Sequence, residues 1–121
     1  MQGAHYSPAT PTFRFERKHA ARVADWCVKN PSKGAIILRL GAAPSDDPIP
    51  LALSMSQRQV ILPAQPTDYA RQMYAALRHA DQQTLEAIWL EMPPDESHWT
   101  AVRDRLLRAT RVPAFASARS D

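Results

Sequence analysis

The stretch Leu85-Glu86-Ala87-Ile88-Trp89-Leu90-Glu91-Met92 constrains this chain more than any other. It is a short apolar run with β-branched and aromatic members, closed by Pro93-Pro94. Proline has no N–H to give a ladder and pushes the preceding residue out of the helical region, so the run ends there. Upstream, Tyr69, Met73, Leu77 and Ala80 recur at helical spacing; downstream, Trp99, Val102, Leu106 and Ala109 do the same. A nearly continuous apolar strand between two one-faced helices is the pattern of a strand covered on both sides, as in parallel α/β sheets.

The rest of the chain extends that pattern. Met1 to Thr12 holds Ser7-Pro8 and Thr10-Pro11 without any period, which predicts an extended, proline-stiffened arm. Phe13 and Phe15, alternating with Arg14 and Glu16, predict a first strand. His19 to Asn30 carries Ala20, Val23, Trp26 and Cys27 on one helical face and ends at Asn30-Pro31. Ser32-Lys33-Gly34 is a turn, with Gly34 expected at positive φ, and Ala35 to Gly41 is a second strand. The first strand, helix and second strand make a βαβ unit with an expected right-handed crossover. Ala42 to Pro50 is a proline-rich loop, and Leu51 to Gln59 is either a short helical turn or irregular. Gln59 to Pro63 predicts a third strand. A long helix then starts at Pro66, with Asp68 in its first turn, and runs to about Gln82. After the anchor strand, Asp95 is the expected N-cap of a last helix reaching about Thr110. The order β-α-β-loop-β-α-β-α defines an α/β class: a three-layer, Rossmann-like, mostly parallel sheet of four to five strands with three helices. Residues 1–12 form the arm, 13–111 the domain and 112–121 a flexible tail.

At 121 residues the chain fits one domain able to bury roughly two-thirds of its unfolded surface. The net charge of +3 is compatible with a nucleotide or RNA neighbour without requiring one. A single cysteine, Cys27, makes no internal disulfide, and no run approaches about 18 apolar residues, so a membrane span is excluded. There is no signal-peptide pattern, and a cytoplasmic location is the default expectation.

Familiar chemistry is missing. No Gly-x-Gly-x-x-Gly follows a strand, and Lys33-Gly34 precedes a strand where a phosphate loop would follow one. His5, His19, His79 and His98 lie far apart in sequence, so no metal site is expected. Glu86 and Glu91 are an odd number of residues apart and therefore fall on opposite faces of the strand, so they form no acid/base pair. Glu91 ends the anchor strand on the edge where open α/β sheets bind ligands, which makes it a candidate sheet-edge site. The plainer and favoured reading is a carboxylate satisfied by neighbouring backbone amides. Trp26, Trp89 and Trp99 each sit on an apolar face and read as core. Arg103, Arg108 and Arg111, with Arg105, complement the dipole of the last helix and are also a candidate basic surface.

Two segments carry a family resemblance. His5-Tyr6-Ser7-Pro8, followed by Thr10-Pro11 and a short strand, resembles the His-Tyr-Ala-Pro interdomain linker of long-form threonylcarbamoyl-AMP synthases. Tyr69 to Arg78, then Ala87 to Glu91, Pro93-Pro94 and Trp99 to Leu106, is similar to the C-terminal domain of the same enzymes, which is Rossmann-like. The resemblance implies a role in tRNA threonylcarbamoyladenosine modification. The full enzymes use ATP, L-threonine and bicarbonate to make threonylcarbamoyl-adenylate, and the linker's His and Tyr approach the nucleotide phosphates; here these are His5 and Tyr6. An imidazole and a phenol both donate hydrogen bonds to anionic oxygens. Ser7 stands where the family has Ala. The Lys-Arg-Pro and Ser-x-Asn-type nucleotide-binding segments of the YrdC-type catalytic domain do not occur in these residues. The expectation is therefore an accessory domain with no catalytic residue or cofactor of its own and no adenylate-forming activity alone. Its partner would be a YrdC-type catalytic domain, in cis or in trans, with tRNA reached only indirectly. The competing expectations are a freestanding nucleotide- or RNA-binding module and a protein-interaction module.

Overall fold

The run closed by Pro93-Pro94 becomes an inner strand with every residue buried, Ala87–Glu91. The computed structural model describes residues 8–117. In chain order the elements are β1 (Thr12–Phe15), a 3₁₀ turn (Arg17–His19), α1 (Ala20–Lys29), β2 (Ala35–Leu40), β3 (Gln57–Leu62), α2 (Pro66–Asp81), β4 (Ala87–Glu91), a second 3₁₀ turn (Ser97–Trp99), α3 (Thr100–Ala109) and a single turn, α4 (Ala114–Ser117). One sheet orders the strands β1-β4-β2-β3, and every neighbouring pair is parallel. This is the expected α/β class.

Period-two alternation sends the two side-chain sets of each strand to two different layers. Ile36, Leu38, Ile88 and Leu90 face Tyr69, Met73 and Leu77 of α2 and Val102 and Leu106 of α3. Ala35, Ile37, Ala87 and Trp89 face Val23, Ala24 and Cys27 of α1, with Ile49 of the β2–β3 loop in the same cluster. The register aligns these sets, pairing Ile36 with Ile88, Ile37 with Trp89 and Leu38 with Leu90. Trp89 and Trp99 are core, each 3 % exposed; Trp26 is half-buried, edge-on to Trp89 with ring centroids 5.5 Å apart.

Several details differ from the sequence reading. β3 starts at Gln57, two residues early, paired with Ala35 of β2, and the buried Gln57 side-chain amide donates to the carbonyls of Asn30 at 2.8 Å and Cys27 at 3.3 Å. It thereby satisfies acceptors left over at the end of α1. Asp95 is not the N-cap of α3: a 3₁₀ turn intervenes and the helix begins after Trp99, with no side-chain cap. Gly34 does not take positive φ; Gly41 does, at +65°. At Gly34 the constraint is space, since a Cβ there would lie 3.2 Å from Leu85 Cδ2, and its carbonyl accepts from the Glu86 amide at 2.9 Å. Leu51 to Ser56 is irregular. Beyond α3, Arg111 bridges to Phe13 of β1, and Phe115 stacks on Trp89 with centroids 6.0 Å apart, so the stretch read as a loose tail is docked at Phe115.

Candidate functional site

All four strands run the same way, so their C-terminal ends form one edge, the usual ligand edge of an open α/β sheet. Glu91 lies there, 1 % exposed, one residue beyond the Leu38–Leu90 pair. The neighbouring strand places Arg39 at the same level, 0 % exposed. Both side chains belong to the face covered by α1. Arg17 reaches over from the turn after β1, and Asp47 from the β2–β3 loop.

These four charges close on one another. Glu91 Oε2 accepts from Arg17 Nε at 2.7 Å, and Oε1 accepts from the Leu40 amide at 2.8 Å and from Arg39 Nε at 3.3 Å. Arg39 donates in a bidentate fork to Asp47, Nη2 to Oδ1 at 2.8 Å and Nη1 to Oδ2 at 2.9 Å. Its Nη1 also donates to Gln59 Oε1 at 2.8 Å, and Gln59 passes its own amide to the Pro50 carbonyl at 2.9 Å. Arg17 Nη2 completes the set on the Leu40 carbonyl at 2.6 Å. Two guanidinium groups and two carboxylates sum to zero charge, and each is hydrogen-bonded, which is the condition under which charge can be buried.

The electrostatics follow from these contacts. Burial opposes ionisation of Glu91, but the bonds from Arg17, the Leu40 amide and Arg39 outweigh it and hold its carboxyl below the ordinary range. The Arg39 fork does the same for Asp47. Bonding to Glu91 raises Arg17, and Asp47 with Glu91 raises Arg39 against its desolvation. Burial also pushes the Cys27 thiol up to about 11, which leaves it protonated at neutral pH and a poor nucleophile.

Of the residues singled out from sequence, Glu91 is at the expected edge, but its partners are two guanidinium groups and a single backbone amide; the reading by amides alone covers one of its contacts. The three arginines of the basic surface are held in three different ways. Arg103 turns inward, donating to the Pro93 carbonyl and pairing with Glu16 at 3.6 Å. Arg108 pairs with Asp104 one turn back at 2.8 Å, and sits roughly 140° around the helix from Arg103. Arg111 lies beyond α3, where its backbone bridges to β1, the amide donating to Thr12 at 2.8 Å, and the residue is exposed. His5 and Tyr6 lie outside the described residues. Among the described residues no three His, Cys, Asp or Glu side chains converge as metal ligands, and no helix is long and apolar enough to cross a membrane.

Sequence reasoning overlooked Arg17, Arg39, Asp47 and Gln59. Arg39 had left a signal: it is a lone charge inside the apolar run Ala35–Leu40, and a strand covered on both faces has no water to offer it. A charge there demands an opposite charge on a neighbouring strand, and Glu91 is the only acidic residue buried in β4.

The four-stranded parallel sheet with helices on both faces is a Rossmann-like α/β domain whose C-terminal strand edge carries a paired charge network of its own side chains. Residues 1–110 match the family model of the threonylcarbamoyl-AMP synthase C-terminal domain, and the chain belongs to that family. No curated protein and no solved structure matches it.

Proposed function

We propose that this domain is an accessory part of a threonylcarbamoyl-AMP synthase and acts by supporting and gating a YrdC-type catalytic domain. That domain would join ATP, L-threonine and bicarbonate into threonylcarbamoyl-adenylate for tRNA modification. The observation that carries the reading is the family match over residues 1–110. The closed network supports it from the chemical side. Among the described residues, the four charges of that network, Arg17, Arg39, Asp47 and Glu91, are paired with one another, so the network itself holds no spare cation for a phosphate. His5 and Tyr6, from the arm that precedes the sheet, are the groups assigned to the nucleotide.

The test adds this chain to the catalytic domain and follows ATP turnover with threonine and bicarbonate present. The chain alone is expected to turn over nothing. Its addition is expected to change turnover, and Tyr6→Phe to weaken that change, since a phenol-to-phosphate bond is charge-assisted. Unchanged turnover on addition would overturn the reading. A parallel titration of the chain alone with ATP, AMP and tRNA is expected to leave the amides near Glu91 and Arg103 to Arg111 unshifted. Shifts there would favour a nucleotide- or RNA-binding module instead.

A further inference from the structure

The segment that leads from the arm into β1 is tied down by an unusual donor arrangement. Pro8 and Pro11 have no N–H, so the only backbone donors between them are those of Ala9 and Thr10. Both go to one carboxylate at the far end of α2: Ala9 N to Asp81 Oδ2 at 3.1 Å and Thr10 N to Asp81 Oδ1 at 2.8 Å. Two acceptors of the segment are engaged as well. The Pro11 carbonyl accepts from the Ile88 amide at 2.9 Å, and the Thr10 carbonyl from the Thr12 hydroxyl at 3.0 Å.

Asp81 is the last residue of α2. A carboxylate at a helix C-terminus faces the negative end of the helix dipole, so local helix energetics disfavour it there. Its two bonds to consecutive amides give it a different task. They bind residues that are distant in sequence, 72 and 71 positions away, and do so with charge-assisted hydrogen bonds.

We infer that Asp81 is a positioning residue: it clamps the chain at Ala9 and Thr10 and so fixes where the His5-Tyr6 arm leaves the domain. Pro8, immediately before the clamp, stiffens the exit. This inference rests on the function proposed above, because a fixed exit matters only if the arm works on a partner. An arm anchored four residues from His5 reaches its target with less conformational freedom to lose.

The experiment measures hydrogen exchange of the Ala9 and Thr10 amides in the 121-residue chain, for the parent, Asp81→Asn and Asp81→Ala. Asp81→Ala should speed exchange at both amides about tenfold or more, while Ile88 stays protected and the melting temperature holds. Asp81→Asn, which keeps one good acceptor, should fall between. Unaltered exchange at Ala9 and Thr10 would overturn the clamp. The same variants are then added to the catalytic domain. Asp81→Ala is expected to reproduce the loss caused by Tyr6→Phe, and the double variant to lose no more than either alone. If Tyr6→Phe abolishes the effect and Asp81→Ala leaves it whole, the positioning role is wrong and the accessory reading survives. If exchange accelerates but neither variant alters turnover, the clamp stands and the accessory reading fails.

Discussion

The two faces of the sheet are covered in different ways. On one, the 16-residue α2 and the 10-residue α3 lay Met73, Leu77 and Leu106 over Ile36, Leu38, Ile88 and Leu90, every one of them buried. On the other, among the described residues, the 10-residue α1 is joined only by the single turn of α4, which brings Phe115 onto Trp89, because β2 connects to β3 without a helix. The chain between them, residues 41–56, has to cover what a second helix would have covered, and it brings Ile49 and Leu53 to do so. A loop has no internal hydrogen-bond ladder and no regular apolar stripe. This one is fastened instead by Arg39 to Asp47 and by Gln59 to the Pro50 carbonyl. Where helices supply the covering, apolar area suffices; where an irregular segment supplies it, buried charge fixes its place. Non-directional burial tolerates repacking, whereas a hydrogen-bonded charge network has one solution.

The largest expected effect tests the charged side of that contrast. Glu91→Gln keeps the shape of the side chain but leaves the buried Arg39 and the partly exposed Arg17 with one counter-charge fewer between them. Removing one member of a buried network costs about 3–5 kcal/mol, to be measured as a shift in urea midpoint. The pH dependence has a definite sign. Glu91 and Asp47 are both held below their ordinary values when folded, so their stabilisation is fully present above the unfolded carboxylate pKa of about 4. It is lost as pH falls through their folded values, because the unfolded chain takes up protons first. Urea midpoints at pH 7, 4 and 3 should fall for the parent and fall less for Glu91→Gln, in which Asp47 is the one carboxylate of the network that still titrates. Equal slopes for the two would remove the network from the account of acid stability.

The next effect tests the apolar side. Leu106, 0 % exposed, packs in the α2–α3 layer, and Leu106→Ala deletes three carbons from a site with no charge to reorganise. A loss of about 3 kcal/mol is expected. Its difference from the parent should stay constant across the same pH series. A difference that narrows toward pH 3 would mean that the two faces are not independent.

What could be read from the sequence divides along the same line. Periodic segments were legible: Tyr69, Met73, Leu77 and Ala80 announce α2, and the run ending at Pro93 announces β4, since burial on a regular element leaves a period. The parallel class followed from their alternation. The network was half legible. Glu91 and Arg39 each break an apolar run, yet only register shows that they stand side by side. Arg17 and Asp47 come from a 3₁₀ turn and a loop, where no period exists to mark an inward side chain. Asp95 and Gly34 misled for a related reason: each fits a local rule, but the second 3₁₀ turn takes over the start of α3, and Leu85 crowds Gly34.

The smallest effect isolates the point at which the chain leaves β2 for the loop. Gly41 has φ +65°, and a Cβ there would lie 3.0 Å from the Cβ of Ala64. Its amide also donates to the Leu62 carbonyl at 2.7 Å, so the position cannot drift without a lost bond. Gly41→Ala is expected to cost about 1–2 kcal/mol, since an L side chain in left-handed backbone crowds its own carbonyl. Gly34→Ala provides the contrast: its backbone is not left-handed, and its nearest neighbour is the movable end of the Leu85 side chain. It should cost less than about 1 kcal/mol. Urea midpoints give the two energies, and limited proteolysis between residues 41 and 56 tells where the strain goes. If Gly41→Ala opens that segment to cleavage and Gly34→Ala does not, the loop's first residue shares with Arg39 the task of aiming it across the α1 face. Equal cleavage in both would assign that task to the Arg39–Asp47 fork alone.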